Sequence, residues 1–480
     1  MMRSVAAMAG GLVGALAMAC GLANGADAAP FRAGAATSNV TPPLGTSING
    51  NMHDIRAAQV HDELHARCLV LDDGATALAF AIVDSCMIPD AVVGAAKRQI
   101  EAATGLRPDR VMISATHTHS AACASPVFRS DPDPAYQAFL ATRIADGVAR
   151  ARLNLAPARV GWGVGRAPEQ VFNRRWRMKP GTIPPDPFGG TTDQVRMNPP
   201  AGSPDLVEPA GPTDPEVTVL AVRALGGRPI ALLANYSLHY VGDVGPAHIS
   251  ADYFGAFADR VQALLKADRL DPPFVAMMSN GTSGNINNVD FRRKPSPTPP
   301  YTKIRAVGDA LAAEVARVAD SIEYRDTAGL AAAASTLPVG VRLPSPADVE
   351  AARAILAKAE GRNLLTIQEV YARETVKLAD YPPQVDLTLQ AFRVGDLGIA
   401  AIPCEVFVEI GLELKAASPR KPTFAISLAN GYHGYLPTPE HHGLGGYETW
   451  RARSSYLEAG ASPRIVAELL KLLDAVGPKP

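Results

Sequence analysis

Val111-Met-Ile-Ser-Ala-Thr-His117-Thr-His119-Ser120 is an apolar run, read as a buried strand, that stops at two histidines flanking one threonine. Side chains alternate along a strand, so His117 and His119 are expected to share a face. Two imidazoles delivered to one space can hold a metal ion, or one can hold it while the other moves protons. The structural alternative is a hydrogen-bonded histidine pair at a strand end. What the other strands deliver decides between them.

Upstream, residues 66–71 and 77–83 flank Asp72-Asp-Gly74, a hairpin signal. Residues 90–104 form a helix that Gly105 and Pro108 stop. The order here is strand, strand, helix, strand. Residues 31–51 read as an irregular opening segment, and His53, His61 and His65 as loop or surface histidines.

Downstream come a helix at 133–153, a short strand at 158–164, and a Pro/Gly-rich irregular loop at 179–215, a lid or binding segment by its length. Strands at 216–225 and 228–238 follow, the second delivering His239. After a helix at 252–265, a strand at 274–278 runs into the polar turn Ser279-Asn-Gly-Thr-Ser283-Gly-Asn285. Helices at 301–322 and 344–378 precede two strands around Gly395-Asp396. The run to Ile402-Pro-Cys-Glu405 turns into a helix at 406–416. A strand at 423–428 ends in Ala429-Asn-Gly-Tyr432-His-Gly-Tyr435, and 463–476 is a closing helix. No internal repeat and no linker is evident. The expected fold is α/β (α+β): two mixed β-sheets, sandwiched and covered by helices, in one large domain over 30–480.

With 480 residues, 47% of them hydrophobic, the chain can bury a full core, and its formal net charge of −1 offers no basic footprint for nucleic acid. Met1-Met-Arg3-Ser, the apolar run 5–19 and Ala26-Asp-Ala28-Ala29 describe a signal peptide over 1–29. Lipoprotein attachment at Cys20 is disfavoured, because the usual leucine three positions earlier is missing. No later run has the length of a membrane span, so a secreted or periplasmic protein is expected, with peripheral lipid contact left open. Cys68, Cys86, Cys123 and Cys404 lack framework spacing, and Cys68 and Cys86 sit in apolar runs that suit buried free thiols.

Four apolar strands thus end in candidate ligands: His117 with His119, His239, Glu405, and Tyr432 with Tyr435. Two histidines and a carboxylate with an open position make the usual catalytic zinc set. Singly, each has a duller role: His239 as a core histidine, Glu405 as a helix-start carboxylate, Tyr435 as a loop aromatic.

These residues resemble the neutral (non-lysosomal) ceramidases, secreted zinc amidases that cleave the N-acyl bond of ceramide. The likeness rests on Ser114-Ala-Thr-His117-Thr-His119-Ser120, Phe172-Asn-Arg174, the strand ending at His239, Pro403-Cys-Glu405, Tyr435-Leu-Pro-Thr-Pro-Glu440 and Tyr447-Glu448, in the family's order. It implies His117, His239, Glu405 and Tyr435 as Zn²⁺ ligands and His119 as a close partner and proton carrier. Arg174 and Tyr447 would touch substrate or its oxyanion. Ser283 falls where the family has a serine once proposed as nucleophile; with no histidine base beside it in sequence, it reads better as shaping the pocket. Zinc would instead activate water, lowering its pKa from 15.7 to about 7.

Three departures leave the substrate open. Ala121-Ala-Cys123-Ala-Ser125 stands where the family has Gly-Pro-Gly-like residues. The serine turn lacks its aspartate and is shorter. The chain stops soon after Tyr447, without room for the extra C-terminal immunoglobulin-like domain of longer members. The alternatives are the same centre acting on another amide or ester, and a non-catalytic lipid- or carbohydrate-binding protein on this scaffold. Oligomeric state is not legible.

Overall fold

A computed structural model of the chain describes residues 30–268, 270–359 and 366–477. The signal-peptide reading of 1–29, with Cys20, lies outside them.

One element order occurs three times: three antiparallel strands, a helix, a fourth strand parallel to the third, and a second helix. The first unit is β1 (Arg32–Asn39), β2 (His65–Asp72), β3 (Ala77–Val83), α1 (Asp90–Thr104), β4 (Val111–Ala115) and α2 (Pro134–Leu153). The second is β5 (Ala156–Arg166), β6 (Glu216–Ala224), β7 (Pro229–Tyr236), α3 (Asp252–Leu264), β8 (Val275–Asn280) and α4 (Thr302–Ser321).

The third unit opens with β9 (Leu330–Gly340). After the inserted α5 (Pro346–Lys358) and α6 (Ile367–Leu378) come β10 (Gln384–Val394), β11 (Leu397–Ala401), α7 (Val408–Ala417), β12 (Thr423–Ile426) and α8 (Ala461–Ala475). In each unit the last two strands are the parallel pair: β3 with β4, β7 with β8, β11 with β12. Units one and two join through antiparallel β1 and β5 into one eight-stranded sheet, and unit three makes a four-stranded sheet. The expectation of no internal repeat is therefore corrected. The repeat lies in topology, which unrelated side chains can encode as long as the hydrophobic pattern survives.

The inner faces of the two sheets form one apolar layer in which Phe80, Leu233 and Met277 meet Phe392, Phe424 and Ile426. Helices α1 and α2 cover half of the large sheet, α3 and α4 the other half, and α7 and α8 the small one. Strands buried on both faces read as continuous apolar runs, as β3 and β4 do. The sandwich of mixed sheets matches the sequence expectation. Cys68, Cys86, Cys123 and Cys404 are buried free thiols. No described helix is long and apolar enough to cross a membrane.

Three further expectations are corrected, and one strand that the sequence did not signal is added. The opening segment contains β1, an inner strand whose small side chains hide its identity; a Cβ on Gly34 would stand 2.3 Å from the Ala151 carbonyl of α2. Alanine-rich β9, carrying Pro338, gives little strand signal, and its edge position tolerates both. The single helix expected over 344–378 is two, each opened by its own capping box at Ser345 and Thr366. The 179–215 loop carries two short strands, Val195–Met197 and Leu206–Pro209, that flank Arg175–Met178 in a three-stranded sheet.

The ends of the three parallel pairs converge. Ser427 N–H donates to Asn280 O at 3.0 Å, and Ala115 N–H to Leu428 O at 3.1 Å, so β4, β8 and β12 are tied just beyond their last residues. Carboxyl ends of parallel strands are where open α/β sheets present ligands.

Candidate metal centre

His117 does not reach its place by strand alternation. The strand ends at Ala115, and His117 sits in the left-handed region at φ 74°, its N–H held by Ser85 O at 2.9 Å. Its Nδ1 donates to Cys86 O at 2.8 Å, which leaves Nε2 facing inward. His239 follows β7, and its Nδ1 is committed to Ser283 O at 3.0 Å, so its Nε2 also faces inward. Glu405 follows β11; its Oε1 accepts from the Tyr432 hydroxyl at 2.9 Å, and its buried Oε2 has no hydrogen-bond partner. Each unit thus supplies one residue.

The three free atoms form a triangle: His117 Nε2 to His239 Nε2 3.2 Å, His117 Nε2 to Glu405 Oε2 3.2 Å, His239 Nε2 to Glu405 Oε2 3.8 Å. A tetrahedral zinc with ligands at ~2.0–2.1 Å requires edges of about 3.3 Å. Two lone pairs and a carboxylate oxygen, all buried, need a positive charge between them. As a proton it would sit on His117: burial opposes this, but Glu405 and Cys86 hold its pKa well above the histidine range. As a divalent cation it would engage all three atoms. The residues fit a metal ion.

The surrounding groups are equally committed. Tyr435 accepts from Arg174 Nη2 at 3.1 Å and lies beside Glu405 as its partner in a short parallel strand pair. Burial and the Glu405 carboxylate hold its phenol well above its usual pKa, against the pull of Arg174. Arg174 also donates to Glu448 Oε1 at 3.0 Å, and fully buried Arg175 donates to Glu448 Oε2 at 2.7 Å. One carboxylate therefore holds two guanidinium groups.

His119 places its Nε2 3.2 Å from His117 Nε2, with its ring flat on Tyr240 at 3.7 Å and 17°. Burial, His117 and Arg174 hold its pKa well below the usual range, and it bonds the Gly50 backbone. Tyr447 stands edge-on to Tyr435 at 5.9 Å, its phenol kept protonated by burial and Glu405.

By sequence, no family model and no curated protein matches the chain. By structure, it matches the crystal structure of neutral ceramidase from Pseudomonas aeruginosa with a TM-score of 0.71, at 19% identity over 93% of this chain and 74% of that one. A ceramidase complexed with C2 matches at TM-score 0.69 and 18% identity, over 94% and 77% of the two chains. The chain has the neutral ceramidase fold.

On this ceramidase fold all the residues singled out from sequence except Ser283 and Arg174 stand at the inward-facing cluster. Ser283 lies behind His239: its hydroxyl donates to Asn280 Oδ1 at 2.7 Å, and the nearest imidazole nitrogen, already donating to the Ser283 carbonyl, is not available as its base. Arg174 acts on Tyr435 from behind and does not line the cavity at the centre. That cavity, about 20 Å³, is lined by Met87, Phe128, Tyr432 and Tyr447 besides His117, His119, Glu405 and Tyr435. Tyr240, Glu448, Gly50 and the Tyr432 hydroxyl were not assigned these contacts from sequence. Tyr240 and Glu448 adjoin assigned residues in the chain; Gly50 carried no signal.

The 179–215 segment of this ceramidase fold packs on the same region: Trp450 Nε1 donates to Asp193 Oδ2 at 2.8 Å, and Phe188 meets Tyr371 edge-on at 5.8 Å. A cavity of about 500 Å³ lined by His61, His65, Asp259 and Tyr301 shares no residue with the centre.

Proposed function

We propose that the chain is a zinc-dependent amidohydrolase that cleaves an N-acyl bond, in ceramide or a related N-acyl lipid, and that it works outside the cytoplasm after removal of residues 1–29. The observation that carries the reading is the buried triangle of His117, His239 and Glu405 with its unpartnered carboxylate oxygen. The residues that would hold the ion are these three, with Tyr435 as the fourth. Nitrogen and oxygen donors with two histidines suit zinc, although the donor set admits other divalent ions.

Zinc there would lower the pKa of water to about 7 and polarise the scissile carbonyl. The remaining work belongs to the chain. His119 is neutral, with Nε2 toward the centre and its ring held by Tyr240 and Gly50, so it is placed to accept a proton from water and pass it to the leaving amine. Tyr447 keeps its phenolic proton and lines the cavity, which suits it to donate to the oxyanion, a contribution of ~3 kcal/mol per donor. Arg174, fixed by Glu448, orients Tyr435 and favours negative charge on its oxygen. Ser283 positions His239 through its carbonyl.

The test is metal analysis of the purified protein coupled to a ceramide-hydrolysis assay. Near-stoichiometric zinc is expected, and His117→Ala should lose both metal and activity while keeping its far-UV circular dichroism. A fully active His117→Ala protein would sink the reading. Sequencing the N-terminus of exported protein should find a start near residue 30.

The narrow cavity favours one alternative, an amide smaller than ceramide.

A further inference from the structure

The two sides of the metal centre differ in room. Toward Met87, Phe128 and Tyr447 the space is about 20 Å³, enough for one water. On the other side of His119 opens a groove of about 310 Å³, walled by Ile48, Ile55, Val244 and Ala247, with His119 and Tyr240 at its inner end. By the same measure, in which one water needs ~10–15 Å³, this takes a chain or ring of several heavy atoms. No Asp, Glu, Lys or Arg lines it.

We propose that the groove beside His119 is the subsite for the amine-side substituent of the substrate, and that the substrate is a short-acyl amide of one uncharged amine. This rests on the amidase reading in its smaller-amide form. Hydrolysis breaks the C–N bond, joins the water oxygen to the acyl carbon, and places a water proton on the departing nitrogen. His119 is the imidazole placed to hand over that proton, so the nitrogen passes beside it, and whatever the nitrogen carries extends into the space His119 borders. That space has apolar walls at Ile48, Ile55 and Val244, neutral polar groups at Asn51 and Ser120, and His248 at its edge, and it takes one chain or ring. The acyl group points the opposite way, where Phe128, Met87 and Tyr447 leave no channel for a long chain. A substituent bearing a carboxylate would enter a groove with no Lys or Arg to meet it.

The experiment uses the full chain loaded with zinc and two series of amides. One lengthens the amine from methyl to octyl at a fixed acetyl group; the other lengthens the acyl group from acetyl to palmitoyl at a fixed amine. Ceramide and an amide with a carboxylate on its amine side complete the set. We expect kcat/KM to rise with amine length and to fall at least about tenfold from acetyl to palmitoyl. Val244→Phe should cut the octyl-to-methyl ratio about tenfold, and Ile55→Ala should move the preferred amine to a larger one. A rate that climbs with acyl length and ignores the amine overturns the proposal. So does ceramide as best substrate with a ratio that Val244→Phe and Ile55→Ala leave unmoved. If no amide is cleaved by fully zinc-loaded protein, the amidase reading itself falls, a result distinct from an inverted preference.

Discussion

Gly50 stands at φ +89°, and a Cβ added to it would lie 2.5 Å from His119 Nδ1 and 2.6 Å from Cγ. Contact that close forces the imidazole off Tyr240. Gly50→Ala should therefore lower kcat by about 10- to 100-fold, as small misplacements of a catalytic group do, while bound zinc stays constant. An unchanged kcat would remove His119 from the mechanism. Glu448 gives a second test, because among the described residues it alone bridges Arg174 and Arg175, all three buried. Glu448→Gln removes the charge that both need and should cost about 3–5 kcal/mol, read as a fall in the urea midpoint. At this scale much was legible. His117, His239 and Glu405 each follow an apolar strand, and such strands advertise what they deliver. The convergence of His117 and His119 was expected from strand alternation but comes from a left-handed residue, which single-residue patterns do not disclose. Tyr240 and Glu448 adjoin marked residues, but they gain their roles from partners far away in the chain, which local sequence does not reveal.

Among the elements, α1 matches its expected span, because its apolar face and stop signals are local. Strands β1 and β9 do not, because both are built from small residues whose strand state is set by neighbours. Helix α1 also carries a liability: Lys97 is buried, and burial lowers its pKa from 10.5 to about 8. The unfolded chain keeps that proton to about pH 10.5 and the folded protein only to about pH 8. Stability should therefore rise with pH across that window, since the unfolded state binds more protons there. Below pH 8 the cost is fully present, on the order of 1–3 kcal/mol. Lys97→Met should raise the melting temperature at pH 7 and abolish the rise between pH 8 and 10.5. A variant no more stable than the parent at pH 7 would show that the ammonium finds better solvation than its surroundings suggest.

Across the whole molecule, the sandwich was legible from the alternation of strands and helices, while the threefold repetition was not. Hydrophobic pattern fixes which face a strand buries and says little about which strands are equivalent. The site draws on all three units, so its state should be felt globally. Chelation leaves two lone pairs and a carboxylate facing one another and removes binding energy that only the folded state has. We expect a drop in melting temperature on the order of 5 °C on treatment with a strong chelator, reversed by zinc and not by magnesium. Indifference to chelation would mean that the triangle holds no ion.

The tie among the ends of β4, β8 and β12 has a consequence for assembly in time. During synthesis the two histidines are made long before Glu405 and Tyr435, and β12, which joins the other two strand ends, is made between those last two. A chain halted after the second unit would own both imidazoles and no carboxylate to set against them. Loading of a metal ion would thus be a terminal event, open only to a chain completed through Tyr435, and for an exported protein it would draw on the ions of the compartment where folding ends.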